Sequence, residues 1–491
     1  MRRRLLSLVV ALGMVATTCT SDGPNEATRT ERGEATDGAT DAPVAGSVPA
    51  PTPAPTTSPP LLLGAPQQAT ATCPAIPGQS PPDPHRPRYS MDVRVRPEDA
   101  VVDGRLTVRF RPDLTTDRLV FRLWPNGPRP AAAGAHIQVG PVFLGSNLPA
   151  ATEEPDPTTL VVPLEPALSA GDEIEATLVW RLTLPGAAND GLAHQGDSIR
   201  LGSFFPILAW EPGVGWATEA PTSAFAEATT SPVADFSYSV TVPSGLSVLA
   251  SGVQDGGRWQ AVAMRDVAVS IGRFDTVKAV AHAPGPVEVV VGVDQDLDDD
   301  PDAYLERVVQ AMEDLARRFG AYPYPTYTLA LSPGLSGGIE YPGHVMQGPG
   351  SLERTTAHEV GHQWFYSLVG NDQARDPWLD EGLSTWAEAQ VEHRVDEVRA
   401  RAIPAAGRKR VGEPMAFWET RQDAYYRSVY VQGAQVLGTL GDPELVDCAL
   451  RLYVTANAFT IARPDDLRSA LSQVFPDPGA TLSGYGIFTS P

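Results

Sequence analysis

Between about Arg88 and residue 285 the chain alternates apolar and polar positions over short runs, YSMDVRV, RLTVRF, RLVFRLW, IEATLVW, FSYSVTV and VEVVVGV, with Pro, Gly and Asp between them. A period of two bounded by turn residues predicts strands, and so many short ones in succession predict an antiparallel β domain. The period changes after the acidic run DQDLDDDPD. In PDAYLERVVQAMEDLARRFG, Leu305, Val308, Val309, Met312, Leu315, Ala316 and Phe319 recur at helical spacing, and AYPYP stops the helix. A strand, YTLALS, then leads into a glycine-rich bend, and helical spacing dominates from Arg354 onward. The expected architecture is α+β: an N-terminal antiparallel β-sandwich or saddle over 85–285, then a mainly helical domain over 286–491.

The first 84 residues do not share these patterns. Arg2, Arg3 and Arg4 precede the apolar run LLSLVVALGMVA, a charged region and short hydrophobic core that read as an export signal over 1–19 and are too short for a spanning helix. Cys19 stands where a bacterial lipoprotein signal places its lipidated cysteine. Residues 20–84 are rich in Thr, Ala, Pro and acid, with PAPTPAPTTSPP near their centre. They cannot bury enough apolar surface to fold and are expected to form an extended tether. An exported, lipid-anchored protein is the expectation, with a cleaved secreted one as the alternative, and membrane contact is expected only through Cys19. In an oxidising compartment the two remaining cysteines, Cys73 and Cys448, can pair or stay free.

The formal net charge of −22 argues against nucleic acid as a partner, because neutralising phosphates needs a basic face. The acidic run Asp294 to Asp302 is not an EF-hand, since Asp299 stands where that loop needs glycine and Leu305 where it needs glutamate. Acids at a helix N-terminus account for it better.

The candidate chemistry lies in TTAHEVGHQWFYSLVG. His358 and His362 are four residues apart, which on a helix points both imidazoles the same way, as two ligands of one Zn²⁺ must point. Glu359 beside them is a candidate base. A catalytic zinc needs a third protein ligand and an open position. In WLDEGLSTWAE, Glu381 is the best candidate, and Glu388 returns to nearly the same helical face seven residues later. For Glu388 two readings stand, a carboxylate that orients a ligand histidine and an ordinary surface charge.

The spacing of that histidine pair to Glu381, with HQWF after the pair and WLDEG around the acid, resembles the M1 family of zinc metallopeptidases, the gluzincin aminopeptidases. FRLWPN, SFFPILAW, RRFGAYPYP, SGGIEYPG and SVYVQGAQVL extend the resemblance over most of the folded chain. It implies a β domain followed by a thermolysin-like catalytic domain, one zinc per chain, and peptide substrates with a free N-terminus. It implies further that Glu340 binds the substrate's α-amine beside Gly337 and Gly338, and that Tyr430 hydrogen-bonds the oxyanion. Three departures from the family's pattern bear on this. Gly338, Ile339 and Tyr341 surround Glu340 where members often carry Ala, Met and Asn, which affects the expected first-residue pocket. Gln432 stands where many have lysine, and the chain ends about sixty residues after Tyr430.

Two competitors remain open to test. Gly334, Ser336 and Gly338 satisfy the G-x-S-x-G of a serine-hydrolase elbow, although that elbow must run straight into a helix. A metal-bearing but inactive surface protein, binding a partner through its β domain, is the non-enzymatic alternative.

Overall fold

The computed structural model of the chain describes residues 72–145, 148–223 and 230–488. The expected export signal, Cys19 and most of the expected tether therefore lie outside the described residues. From Thr72 to about Asp83 the chain has no helix or strand, but it is fastened: Cys73 is disulfide-bonded to Cys448, and the Ser80 amide donates to the Thr455 carbonyl.

The alternating runs form strands as their period requires. In Arg88–Arg96, Tyr89, Met91, Val93 and Val95 are buried while the residues between them face outward. This strand lies inside a seven-stranded sheet in the spatial order Val253–Asp255, Arg258–Met264, Ala234–Thr241, Arg88–Arg96, Val101–Phe110, Ile174–Thr183, His136–Leu144. One pair, Arg88–Arg96 with Ala234–Thr241, runs parallel, so this sheet is not purely antiparallel. Two four-stranded sheets, one built around Thr116–Arg122 and Thr159–Leu168 and the other around Ser198–Leu201 and Val269–Gly272, and the short pair Trp210–Glu211 with Gly215–Trp216 complete the β region among the described residues.

The next sheet contains β1 (Phe274–His282), β2 (Pro286–Asp294), β3 (Thr326–Leu331), β4 (Gly338–Tyr341) and β5 (His344–Gln347), in the spatial order β1-β2-β3-β5-β4. β1 and β2 form a hairpin across residue 285, where the β domain was expected to end. VEVVVGV, within β2, pairs parallel with β3 and not with the N-terminal sheets. Its valines and those of β1 belong to this sheet because helix α1 (Pro301–Phe319) packs against both strands. The α1 N-terminus is capped by Asp300, whose side chain accepts from the Asp302 amide, which gives the acidic run its structural role.

Helices follow: α2 (Arg354–Gly361), α3 (Trp378–Val391), α4 (Gln432–Leu440) and α5 (Pro443–Asn457). Every residue of α3 is buried, so this helix forms the centre of the helical half. Among the described residues no helix is long and apolar enough to cross a membrane.

Candidate active site

α2 and α3 pack together through Gly361, where an added Cβ would stand 3.2 Å from that of Ala387. Gly382 of α3 and Gly433 of α4 meet more closely still, a Cβ on Gly382 falling 3.0 Å from the Gly433 Cα. Three helices thus converge with small residues at their crossings, and the side chains beside those glycines meet: His358 and His362 from α2 and its cap, Glu381 from α3, and Tyr430 from the π turn Arg427–Val431 that precedes α4. A π turn widens the helix and can re-aim one side chain, a device frequent at functional sites.

The donor atoms form a small triangle. His358 Nε2 is 3.0 Å from His362 Nε2 and 3.2 Å from Glu381 Oε2, and His362 Nε2 is 3.3 Å from the same oxygen. A tetrahedral ion with bonds of about 2.0–2.1 Å has ligand–ligand edges of about 3.3–3.4 Å, so the triangle matches a single zinc-sized ion. The ring nitrogens turned away from it are also engaged. His362 Nδ1 lies 3.1 Å from the Phe365 carbonyl oxygen, and His358 Nδ1 lies 3.6 Å from Glu388 Oε2. Glu388 is itself held by Arg354 Nε, which donates to its Oε1 at 2.6 Å. This carboxylate is buried, which removes the surface-charge reading and leaves the orienting one.

The electrostatics point the same way. Burial would drive the His358 pKa down, but hydrogen bonds to Glu381 and Glu388 outweigh it and carry the imidazole up to about 10. His362 behaves alike, with the charge of Glu340 and the Glu381 bond overcoming burial to lift it to about 9. Burial opposes the ionised form of Glu381 too, yet the two imidazoles hold it down at about 2. A cluster this rich in carboxylates draws positive charge, and a dication supplies it.

Two carboxylates face the triangle without belonging to it. Glu359 and Glu340 each bring an oxygen within 4.8 Å of a His362 nitrogen and of one another. Glu359 Oε2 is buried without a hydrogen-bond partner, and burial pushes this carboxyl up to about 7. Glu340, on β4, is likewise raised by burial and by the acids around it. β4 lies so close to α2 that a Cβ on Gly338 would fall 2.3 Å from the Glu359 carboxyl carbon. Gly337 has φ +79°, open space around it, and a carbonyl that accepts from the Gly348 amide. The Tyr430 hydroxyl donates to Glu381 Oε1 at 2.5 Å, and its ring stacks on His358 at 5.7 Å between centroids. The residues singled out in the sequence therefore stand in one neighbourhood.

Residues 345–482 match the model of the peptidase family M1 domain. That segment is similar to a peptidase family M1 domain. Over 203 residues the chain is 28% identical to leukotriene A-4 hydrolase of Xenopus laevis, a match covering 36% of this chain and 33% of that protein. Over 188 residues it is 24% identical to human aminopeptidase B, covering 32% of this chain and 29% of the relative. It thus spans about a third of the length of these M1 relatives. Among solved structures, the M1 zinc metallopeptidase from Deinococcus radiodurans superposes with a TM-score of 0.61 at 19% identity, over 85% of this chain and 97% of that one. A two-domain M1 zinc metallopeptidase bound to L-arginine gives 0.62 at 20%, over 82% and 94%. At that identity the likeness speaks to the fold.

Of the departures from the M1 pattern, Gly338 lies against Glu359 in the cluster, whereas Ile339, Tyr341 and Gln432 fall outside it. Tyr341 and Ile339 alternate with Glu340 along β4 and point the other way, toward the β domain. There a Cβ on Gly202 would stand 1.9 Å from the Tyr341 hydroxyl, and one on Gly191 3.4 Å from an Ile339 methyl. Gln432 is buried on the far side of α4, accepting from the Lys409 amide at 2.8 Å and donating to the Gly407 and Ser428 carbonyls. It ties the 401–414 segment to the helix. Ser336 accepts at 2.8 Å from Asn189 Nδ2 and runs into a strand, so the G-x-S-x-G pattern is no nucleophile elbow. One residue of the neighbourhood carried no sequence signal: Gln373, whose amide nitrogen lies 2.8 Å from Asp380 Oδ2 and 3.5 Å from Glu340 Oε1.

Proposed function

We propose that this protein is a zinc-dependent aminopeptidase that removes N-terminal residues from peptides. The observation that carries the reading is the placement of Glu340, a poorly solvated carboxylate raised by burial and by the acids around it, a few ångströms from the base and ligand cluster. A substrate ammonium is the partner such a group fits, because a charge withdrawn from water needs an opposite one. A bound α-amine at Glu340 also sets the scissile bond of the first residue near His358, His362 and Glu381, so the same contact defines exopeptidase register. M1 relatives named as aminopeptidases and a solved M1 neighbour bound to a Tyr-Ser-Ala substrate support the choice of peptides.

In this reading His358, His362 and Glu381 hold the ion. Zinc so bound supplies a Lewis acid that polarises the scissile carbonyl and lowers the pKa of water to about 7. Glu359, with one carboxylate oxygen free, takes the proton of the attacking water and returns it to the leaving amine. Tyr430 stays protonated, since burial and the neighbouring Glu381 raise its pKa well above the usual phenol value, and it donates to the oxygen on which negative charge develops. Glu388, braced by Arg354, fixes the His358 ring.

Hydrolysis of aminoacyl amides and of the same substrates N-acetylated tests the reading. Acetylation removes the ammonium and leaves Glu340 unpaired, so cleavage should nearly vanish, and in Glu340→Ala the ratio of the two rates should collapse toward one. Equal cleavage of free and acetylated peptides by the wild type refutes the aminopeptidase assignment while leaving the metal chemistry standing. For location, the apolar run behind Arg2–Arg4, the position of Cys19 and the Cys73–Cys448 bridge together support an exported protein anchored by lipid. Mass spectrometry of the mature N-terminus, and release from the membrane by Cys19→Ala, decide it.

A further inference from the structure

Gln373 lies in the turn that joins the α2 cluster to α3. Asp372 shapes that turn: its Oδ1 accepts from the amides of Ala374 at 3.0 Å and Arg375 at 3.1 Å, and its carbonyl accepts from the Asp376 amide at 2.8 Å. The Gln373 side chain is turned inward, and the residue is 3% exposed. Its Nε2 faces two carboxylates, Asp380 Oδ2 at 2.8 Å and, more loosely, Glu340 Oε1 at 3.5 Å. That environment fixes the amide orientation, because flipping it would set the carbonyl oxygen against both acids.

The consequence falls on the other end of the amide. Gln373 Oε1 is buried and has no hydrogen-bond partner. Covalent geometry keeps it roughly 2.3 Å from Nε2, on the same amide whose nitrogen faces Glu340. Buried carbonyls without partners are uncommon and cost about 1–3 kcal/mol, so a ligand donor is the chemistry this one fits. An α-ammonium brings three N–H groups, more than one carboxylate can satisfy, and Glu359 is committed to the proton transfer.

We propose that Gln373 is a specificity-determining residue for the free N-terminus, its amide nitrogen positioning Glu340 and its carbonyl oxygen accepting a second hydrogen bond from the substrate's α-ammonium. This rests on the reading of Glu340 given above. Nothing in the family resemblance assigns the role, and Gln373 reaches the site from the turn after the histidine helix, not from β4.

Two zinc-binding probes separate amine recognition from metal binding: leucine hydroxamate and its desamino counterpart, which lacks only the amine. On wild-type holoenzyme the amine form should bind more tightly. Gln373→Met keeps the length and removes both polar ends; it should cut the amine's advantage roughly 10–100-fold, the worth of a charge-assisted hydrogen bond. The desamino Ki and zinc content should hold, and with aminoacyl amides the loss should appear in KM more than in kcat. Should Gln373→Met fail to fold, Gln373→Asn carries the test, since it retains both groups but draws them back by one methylene. An unchanged advantage, or an equal loss for both probes, overturns the proposal. Glu340→Ala distinguishes the two levels: if it erases the amine's advantage while the Gln373 variants keep it, only the role of Gln373 fails. If Glu340→Ala leaves the advantage intact, the reading of Glu340 fails with it.

Discussion

Gly338→Ala, which restores the alanine that family members often carry at this position, should displace Glu359 in this chain and lower the proposed activity without unfolding the protein or stripping its metal. A Cβ at this position would lie 2.3 Å from the Glu359 carboxyl carbon and 2.4 Å from its Oε1, more than an ångström inside ordinary contact. The atoms struck are the far end of a side chain, so the strand need not move; Glu359 swings aside. Gly338 also lacks a positive φ, so alanine meets no backbone penalty there. The perturbation therefore falls on the position of the proposed base, and a displacement of about an ångström at a reacting group costs on the order of 10²-fold in rate. Steady-state kcat on an aminoacyl amide, zinc content by atomic absorption and a thermal melt measure the three quantities separately. Gly337→Ala is the control: its Cβ meets nothing within 4 Å, and its φ of +79° brings only backbone strain of about 1 kcal/mol. Wild-type kcat in Gly338→Ala, or a rate loss accompanied by equal loss of zinc, would refute the claim that β4 sets the position of Glu359.

Glu359→Gln should retain zinc and lose nearly all turnover, whereas His358→Ala, His362→Ala and Glu381→Ala should lose the metal; metal analysis beside kinetics separates the two roles. Tyr430→Phe should lower kcat by about 10²–10³ with little change in KM, and an unchanged rate assigns the ring to packing alone. Reduction of Cys73–Cys448, or Cys448→Ala, should cost about 2–5 kcal/mol and lower the melting temperature, read by calorimetry with and without reductant. His344 is fully buried between the hydroxyls of Ser270 and Thr328, and burial lowers its pKa to about 3. The native state then binds fewer protons than the unfolded one below about pH 6.5, so its contribution is complete above that pH and is lost as pH falls toward 3. Urea unfolding at pH 6, 5 and 4 should show a shallower loss in His344→Gln, by up to about 1.4 kcal/mol per pH unit; parallel curves would dismiss the histidine.

The strands and α1 were legible because each buries one face against a neighbour, and that requirement writes a period into the sequence: Tyr89, Met91, Val93 and Val95 at two, Leu305 to Phe319 at helical spacing. Pairing was not. Whether Phe274–His282 and Pro286–Asp294 close the β domain or open the next sheet depends on what packs across them, and α1 decides it from outside both strands. The parallel pairing of Arg88–Arg96 with Ala234–Thr241 joins segments far apart in the chain, which no local pattern encodes. In the site, ligands and base announce themselves through helical spacing in HEVGH and WLDEG. Gln373 sits on an irregular turn with no period, and only the meeting of three chain segments gives its amide two carboxylates and its carbonyl none.

The departures around Glu340 are best understood through the alternation of β4. On a strand, neighbours face opposite sides, so Ile339 and Tyr341 cannot share the face of Glu340. They face Gly191 and Gly202 instead, where the absence of Cβ atoms makes room for a buried phenol. The substitution that in sequence threatens the first-residue pocket is in structure part of the joint between the β domain and the catalytic sheet. That joint is reinforced close by: Arg200 donates to the Pro333 carbonyl at 2.7 Å, and Asn189 and Ser336 exchange bonds of 2.8 Å on either side of the glycine bend. The β domain thus holds the segment that delivers Gly338 and Glu340 to Glu359. Its contribution to catalysis is positional: loosening the joint, as Tyr341→Ala would, should weaken amine recognition and turnover together while leaving His358, His362 and Glu381, which hang on α2 and α3, able to bind metal.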